Sequence, residues 1–152
     1  MERLNFQIEI NTDAKKAYEV MLGPATFRQW TSVFNASSYY EGNWEKGSKM
    51  YFIGLNENSR KEGMVSKVLE NIPNKYVSIE HQGYIEDDQE ITDGEHVSWK
   101  GARENYIFEE NNGVTTVTVE LDTEQNFKEY FEKTYPEALQ TLKMLAEVNN
   151  DE

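Results

Sequence analysis

The chain has 152 residues, which fits one domain over 1–152 with enough interior for a core that needs no cross-links. It contains no cysteine, which excludes a disulfide framework, a thiol nucleophile and any cysteine-ligated zinc or iron–sulfur site. A net charge of −13 at pH 7 repels nucleic acid and anionic lipid surfaces and favours solubility.

No stretch reaches the roughly 18 apolar residues of a membrane span. The opening Met1-Glu-Arg-Leu-Asn-Phe-Gln7 has no apolar core of a signal peptide. The expectation is a cytoplasmic protein with no membrane or nucleic-acid partner.

Leu4, Phe6, Ile8 and Ile10 alternate with Asn5, Gln7 and Glu9, and this period of two predicts a half-buried strand. Thr12 is expected to cap the following helix, with Asp13 in its first turn. Ala14, Ala17, Tyr18, Met21 and Leu22 make one helical stripe. Gly23 suits the position after the helix end, and Pro24 stops it while opening a second short helix. Phe27 and Trp30, three apart, share that helix's inner face.

The period changes from about Ser37. Gly42-Asn-Trp-Glu-Lys-Gly47 reads as a loop and Ser48 to Leu55 as a strand, with Met50 and Phe52 on one face and Tyr51 and Ile53 on the other. Asn56 to Ser59 is a turn, Gly63 to Glu70 a strand, and Asn71 to Asn74 the next turn. From Tyr76 to His81, Val77, Ile79 and His81 share a face.

The segment Glu86 to Glu95 holds six carboxylates and no base, which predicts a solvated, mobile loop. It lacks the offsets of a calcium loop, because Gly94 falls one place late, and no metal site is expected. Segments 103–109 and 114–121 read as a hairpin across Glu110-Asn-Asn-Gly113.

A helix is predicted from about Glu124 to Val148, with Phe127, Phe131, Tyr135, Ala138, Leu142, Leu145 and Ala146 at helical spacing. Pro136 removes one backbone hydrogen bond and costs about 3 kcal/mol in a straight helix. The stretch is expected to kink there; the alternative is a second helix beginning at Pro136.

Thr12-Asp-Ala-Lys-Lys-Ala-Tyr18, Gly23-Pro24 and Phe27-Arg-Gln-Trp30 resemble the opening of the START-like (SRPBCC) superfamily. Further matches are Gly42-Asn-Trp-Glu-Lys-Gly47, Gly63-Met-Val65, Pro73 with Tyr76-Val-Ser-Ile-Glu-His81, Glu104-Asn-Tyr106, and Tyr135-Pro136 leading into Leu139-Gln-Thr-Leu142. In particular the chain is similar to bacterial single-domain relatives of the C-terminal domain of the heat-shock-protein-90 ATPase activator, over essentially its whole length.

The resemblance implies an α+β helix-grip fold. In it a curved antiparallel sheet wraps a long C-terminal helix, and two short helices follow the first strand. It implies a deep apolar cavity in many members but no single activity. Relatives include lipid carriers, pollen-allergen-type binders, aromatase/cyclases, antibiotic-sequestering proteins and cochaperones. The eukaryotic cochaperone has a further N-terminal domain that contacts the chaperone, and no such domain is expected within these 152 residues.

The inward faces put Trp30, Met50, Phe52, Ile79, His81, Tyr106, Phe108, Phe131 and Tyr135 on a cavity wall. The same residues would also serve to fill a core. His81 is the one catalytic candidate: its imidazole can orient a ligand's hydroxyl or carbonyl or act as a base, or it is a structural histidine bonded to tyrosine or backbone. Glu104 shares a face with Tyr106 and, if buried, would pair with His81; an exposed ion pair with a neighbouring strand is the expected arrangement. Tyr39 and Tyr40 stand near the cavity mouth, their facing open. His96, beside the acidic loop, is expected to be solvated.

With no nucleophile motif, metal cluster or phosphate loop, the expected function is non-enzymatic binding of a small apolar or aromatic ligand, with no cofactor. One alternative is a chaperone-activator-like or stress-response role with a chaperone partner. The other is a cyclase, dehydratase or hydrolase using His81 with Tyr106 or Glu104.

Overall fold

A computed structural model describes residues 1–92 and 100–148. Strand β1 (Glu2–Ile10) leads into helices α1 (Ala14–Leu22) and α2 (Pro24–Trp30). Strands β2 (Tyr39–Gly42), β3 (Lys49–Leu55), β4 (Lys61–Ile72), β5 (Tyr76–Glu86), β6 (Gln89–Ile91), β7 (Arg103–Asn111) and β8 (Val114–Thr123) follow. A 3-10 turn, Gln125–Phe127, then feeds helix α3 (Lys128–Ala146). The strands form one antiparallel sheet in the order β1-β8-β7-β5-β4-β3-β2, with β6 paired to the end of β5. This is the α+β helix-grip architecture: α3 packs on β1, α1 and α2, and its Tyr135, Ala138, Leu139, Leu142 and Ala146 are buried in the main core. Among the described residues, no helix is long and apolar enough to cross a membrane.

Register explains the inward face. Across the sheet, Phe6, Val119, Tyr106 and Val77 lie in one row, and Leu4, Leu121, Glu104, Ile79 and Val68 in the next. His81, Ser66 and Met50 make a third. The β4–β5 pairing slips between Val65 and Ser66 and again between Val68 and Glu70. Each slip inserts an unpaired residue, which bends and twists the strands and helps the sheet curl.

Several local features differ from expectation. Asp13, not Thr12, caps α1: its carboxylate accepts the Lys16 N–H at 2.8 Å, while the Thr12 carbonyl takes the Thr115 hydroxyl. Gly23 is extended (φ −62°) and serves both helices, donating to the Glu19 carbonyl and accepting from the Phe27 N–H. Its lack of a side chain is needed because a Cβ would sit 2.8 Å from the Glu19 oxygen.

The acidic segment is not a free loop where it is described. Asp87 and Asp88, both at positive φ, turn β5 into β6. Asp88 accepts the Lys61 N–H, and Glu90 accepts from Lys49 Nζ and the Tyr51 hydroxyl. Lys49 pairs with Glu90, and Arg60 lies 3.8 Å from Asp88, so charges that look unopposed in the local sequence find partners from other segments. Residues 93–95 and His96 lie outside the described residues.

Trp44, inside the predicted loop, folds its ring back against Phe27, Tyr40 and Phe52. Helix α3 runs unbroken through Pro136, so the stretch does not split. Phe127 belongs to the 3-10 turn rather than the helix's inner stripe and is 47% exposed.

Candidate functional site

A cavity of about 760 Å³, partly open to solvent, lies between the sheet, α2 with its following turn, and the first half of α3. Its wall is mainly aromatic and aliphatic, which suits an apolar ligand. Trp30 is locked in place by its indole N–H, which donates to the Met21 carbonyl at 3.0 Å. Phe27 meets Trp30 edge-on at 5.5 Å. From α3, Tyr135 stacks on Phe6 at 5.0 Å and meets Phe34 edge-on at 5.2 Å.

One polar cluster interrupts this wall. Glu104 lies one row beyond Tyr106 and beside His81, so the sheet's register brings all three together. The Glu104 Oε2 accepts the Tyr135 hydroxyl and, at 3.4 Å, the Tyr106 hydroxyl. Its Oε1 is 3.5 Å from His81 Nε2, and the two side chains are 14% and 8% exposed. His81 Nδ1 lies 2.7 Å from the Ser66 hydroxyl, which faces it across β4–β5. Burial, and then the charge of Glu104, push both phenols well above their ordinary pKa. They therefore stay neutral and act as donors to the carboxylate.

Serine, histidine and glutamate in line invite comparison with a hydrolytic triad. Ser66 is fully buried, however, and is not part of the cavity wall. Its hydroxyl is placed to hold the imidazole rather than to attack a ligand. The group facing the cavity is the carboxylate, framed by His81 and the two phenols. It can accept hydrogen bonds from a bound molecule. Among the described residues, no group of three or more His, Asp or Glu could hold a metal ion.

Of the nine predicted wall residues, Trp30, Phe52, Ile79, His81, Tyr106, Phe131 and Tyr135 border this cavity. Met50 does not: it is fully buried against Val68 and Ile79, beneath the wall. Phe108 does not either, because it sits further along β7 and packs edge-on against Tyr18 at 5.6 Å. Glu104 is not in the exposed ion pair expected of it; its place in an inward row turns the carboxylate to the cavity. Tyr40 faces inward, donating to the Leu22 carbonyl at 2.6 Å, and Tyr39 faces outward under the Arg28 guanidinium. Neither reaches the cavity.

Sequence reasoning missed Ser66 and Phe34. Phe34 was open to detection, since Phe27, Trp30 and Phe34 fall at i, i+3 and i+7. Ser66 carried no signal, because only the pairing register places it opposite His81.

No protein-family model matches the sequence, and no curated protein is significantly similar to it. Solved structures do share its shape. The Aha1 dimer from Colwellia psychrerythraea is 21% identical, with a TM-score of 0.70 over 99% of each chain. A protein from Arthrobacter aurescens is 12% identical, with a TM-score of 0.73 over 95% of this chain and 85% of its own. CalU16 from Micromonospora echinospora is 11% identical, with a TM-score of 0.66 over 95% of this chain and 76% of its own. At these identities the likeness establishes the START-like fold.

Proposed function

We propose that the protein binds a small apolar or aromatic molecule, without transforming it, in the cavity between sheet and C-terminal helix. One observation carries this reading: a cavity of about 760 Å³ with an aromatic wall and one focused polar cluster. That size lies within the range of small-molecule pockets, which are mostly apolar with a few placed polar groups. Aromatic rings provide the contact area, and Glu104, His81 and the phenols orient the ligand's polar end.

Calorimetric titration with a neutral apolar dye such as Nile red tests the reading. A saturable one-to-one isotherm is expected. Ala102→Leu should weaken it, because Ala102 is buried in the wall and a larger side chain there takes up ligand space. Absence of saturable binding, or equal binding by a folded Ala102→Leu variant, would count against the cavity as the site.

A second reading, a chaperone-activator-like protein interaction, is favoured by the likeness to the Aha1 structure over nearly the full length of both chains. Fold does not fix function, so this rests on analogy. If acidic surface drives such a contact, stimulation of a cognate chaperone ATPase should appear at low salt and fade at high salt. No stimulation at low salt would set the reading aside.

A further inference from the structure

We propose that the cavity selects a lipophilic cation: an apolar or aromatic molecule carrying one ammonium group, seated against Glu104. This rests on the binding role proposed above and adds the charge of the ligand to it.

The wall is electrically one-sided. The described residues bordering the cavity include Glu62, Glu86, Glu104, Asp122 and Glu124, and no lysine or arginine. Asp122 has its own counter-ion in Arg3, at 2.8 Å. Glu104 differs: among the described residues its partners are two phenols and an imidazole. The phenols contribute dipoles rather than charge, and His81 is the one partner able to carry a positive charge.

The carboxylate also has acceptor capacity to spare. It offers roughly four lone-pair sites. The two phenols share Oε2, and the imidazole approaches Oε1. One direction on Oε1 is left for a ligand donor. The rings of Tyr106, Tyr135 and Phe131 line the same cavity, and a cation over an aromatic face is attracted to it. A ligand carboxylate seated at Glu104 meets a like charge in a wall whose described residues include no lysine or arginine, which discriminates against fatty-acid-type molecules.

The test is calorimetric titration with naphthylmethylamine, naphthylmethanol and naphthoate, which share one bicyclic skeleton. The amine is expected to bind about tenfold or more tighter than the alcohol, the difference a charge-assisted hydrogen bond makes, with naphthoate weakest. Glu104→Gln should collapse the amine-to-alcohol ratio towards one. Glu104→Asp, which keeps the charge, should retain part of it, and both variants are checked for folding by circular dichroism. Glu137→Gln, at an exposed position on α3, should leave the ratio unchanged and so control for bulk charge.

Equal binding of amine and alcohol by the unaltered protein would overturn the inference while leaving the binding role intact. So would an amine preference that survives Glu104→Gln. If none of the three binds, the binding role fails and this inference fails with it.

Discussion

Removing one hydroxyl should measure how strongly the polar cluster is held. In Tyr135→Phe the ring keeps its stack on Phe6 at 5.0 Å and its edge contact with Phe34 at 5.2 Å. Tyr135 is 2% exposed, so phenylalanine fits the same envelope. What disappears is one O–H donor to the Glu104 carboxylate. A hydrogen bond to a charged group contributes about 1.5–3 kcal/mol, partly offset because no hydroxyl need now be desolvated. Glu104 keeps Tyr106 and His81, which limits the damage. The expected net loss is about 1–2 kcal/mol, or about 3–6 °C in Tm for a domain of this size. Urea unfolding followed by circular dichroism should show a lower midpoint with an unchanged slope. Repeating the substitution in a Glu104→Gln background should cost less, giving an interaction energy of about 1 kcal/mol or more. Strictly additive effects would refute the idea that Tyr135 and Glu104 act as a pair.

Other substitutions test other parts of the structure. Ser66→Ala strands His81 Nδ1 without its 2.7 Å partner and should cost about 1–3 kcal/mol in chemical unfolding. Gly63→Ala should cost at least about 2 kcal/mol or prevent folding, because Gly63 has φ +145° and a Cβ would lie 1.8 Å from the Phe52 carbonyl oxygen. Pro136→Ala restores an N–H within α3 at an exposed position and should raise stability by about 1–3 kcal/mol; a fall in Tm would contradict this. The hydrogen bond from Arg3 is the main cause holding the Asp122 carboxyl below its usual pKa. That stability is present above the unfolded value of about 4 and is lost as pH falls through the folded value. Arg3→Ala should therefore be less stable at neutral pH, with the gap closing in acid. The pair is partly exposed, so the gap should not exceed about 1 kcal/mol.

Elements with strong local periodicity were legible in the sequence. The alternation of Leu4 to Ile10, the stripe from Ala14 to Leu22 and the Asn-Gly turn before Val114 are local signals, and the structure realises each of them. Features set by long-range pairing were not legible. The carboxylates of 86–90 look unopposed along the chain, and the cations beside Glu90 and Asp88, Lys49 and Arg60, come from distant segments. Trp44 sits among loop-forming residues, yet distant aromatic neighbours draw its ring inward. In the site, alternation alone put Glu104 on the same face as Tyr106. Its burial depends on α3 laying Tyr135 over it, a contact spanning 31 residues. Met50 shows the converse: its inward direction was readable, but not that Val68 and Ile79 enclose it below the cavity wall.

The account stands or falls on whether a ligand enters this cavity. Isoleucine methyl NMR addresses this directly, because Ile79 lies in an inward row and borders the cavity, while Ile53 and Ile85 pack with Val65, Tyr39 and Tyr51 in a separate cluster and Ile8, Ile10 and Ile72 do not border the cavity. Titrating the labelled protein with naphthylmethanol should shift the Ile79 methyl signals in a saturable manner and leave those of Ile8, Ile10 and Ile72 in place. Shifts confined to Ile8, Ile10 or Ile72, or none at saturating ligand, would contradict a binding site between sheet and helix.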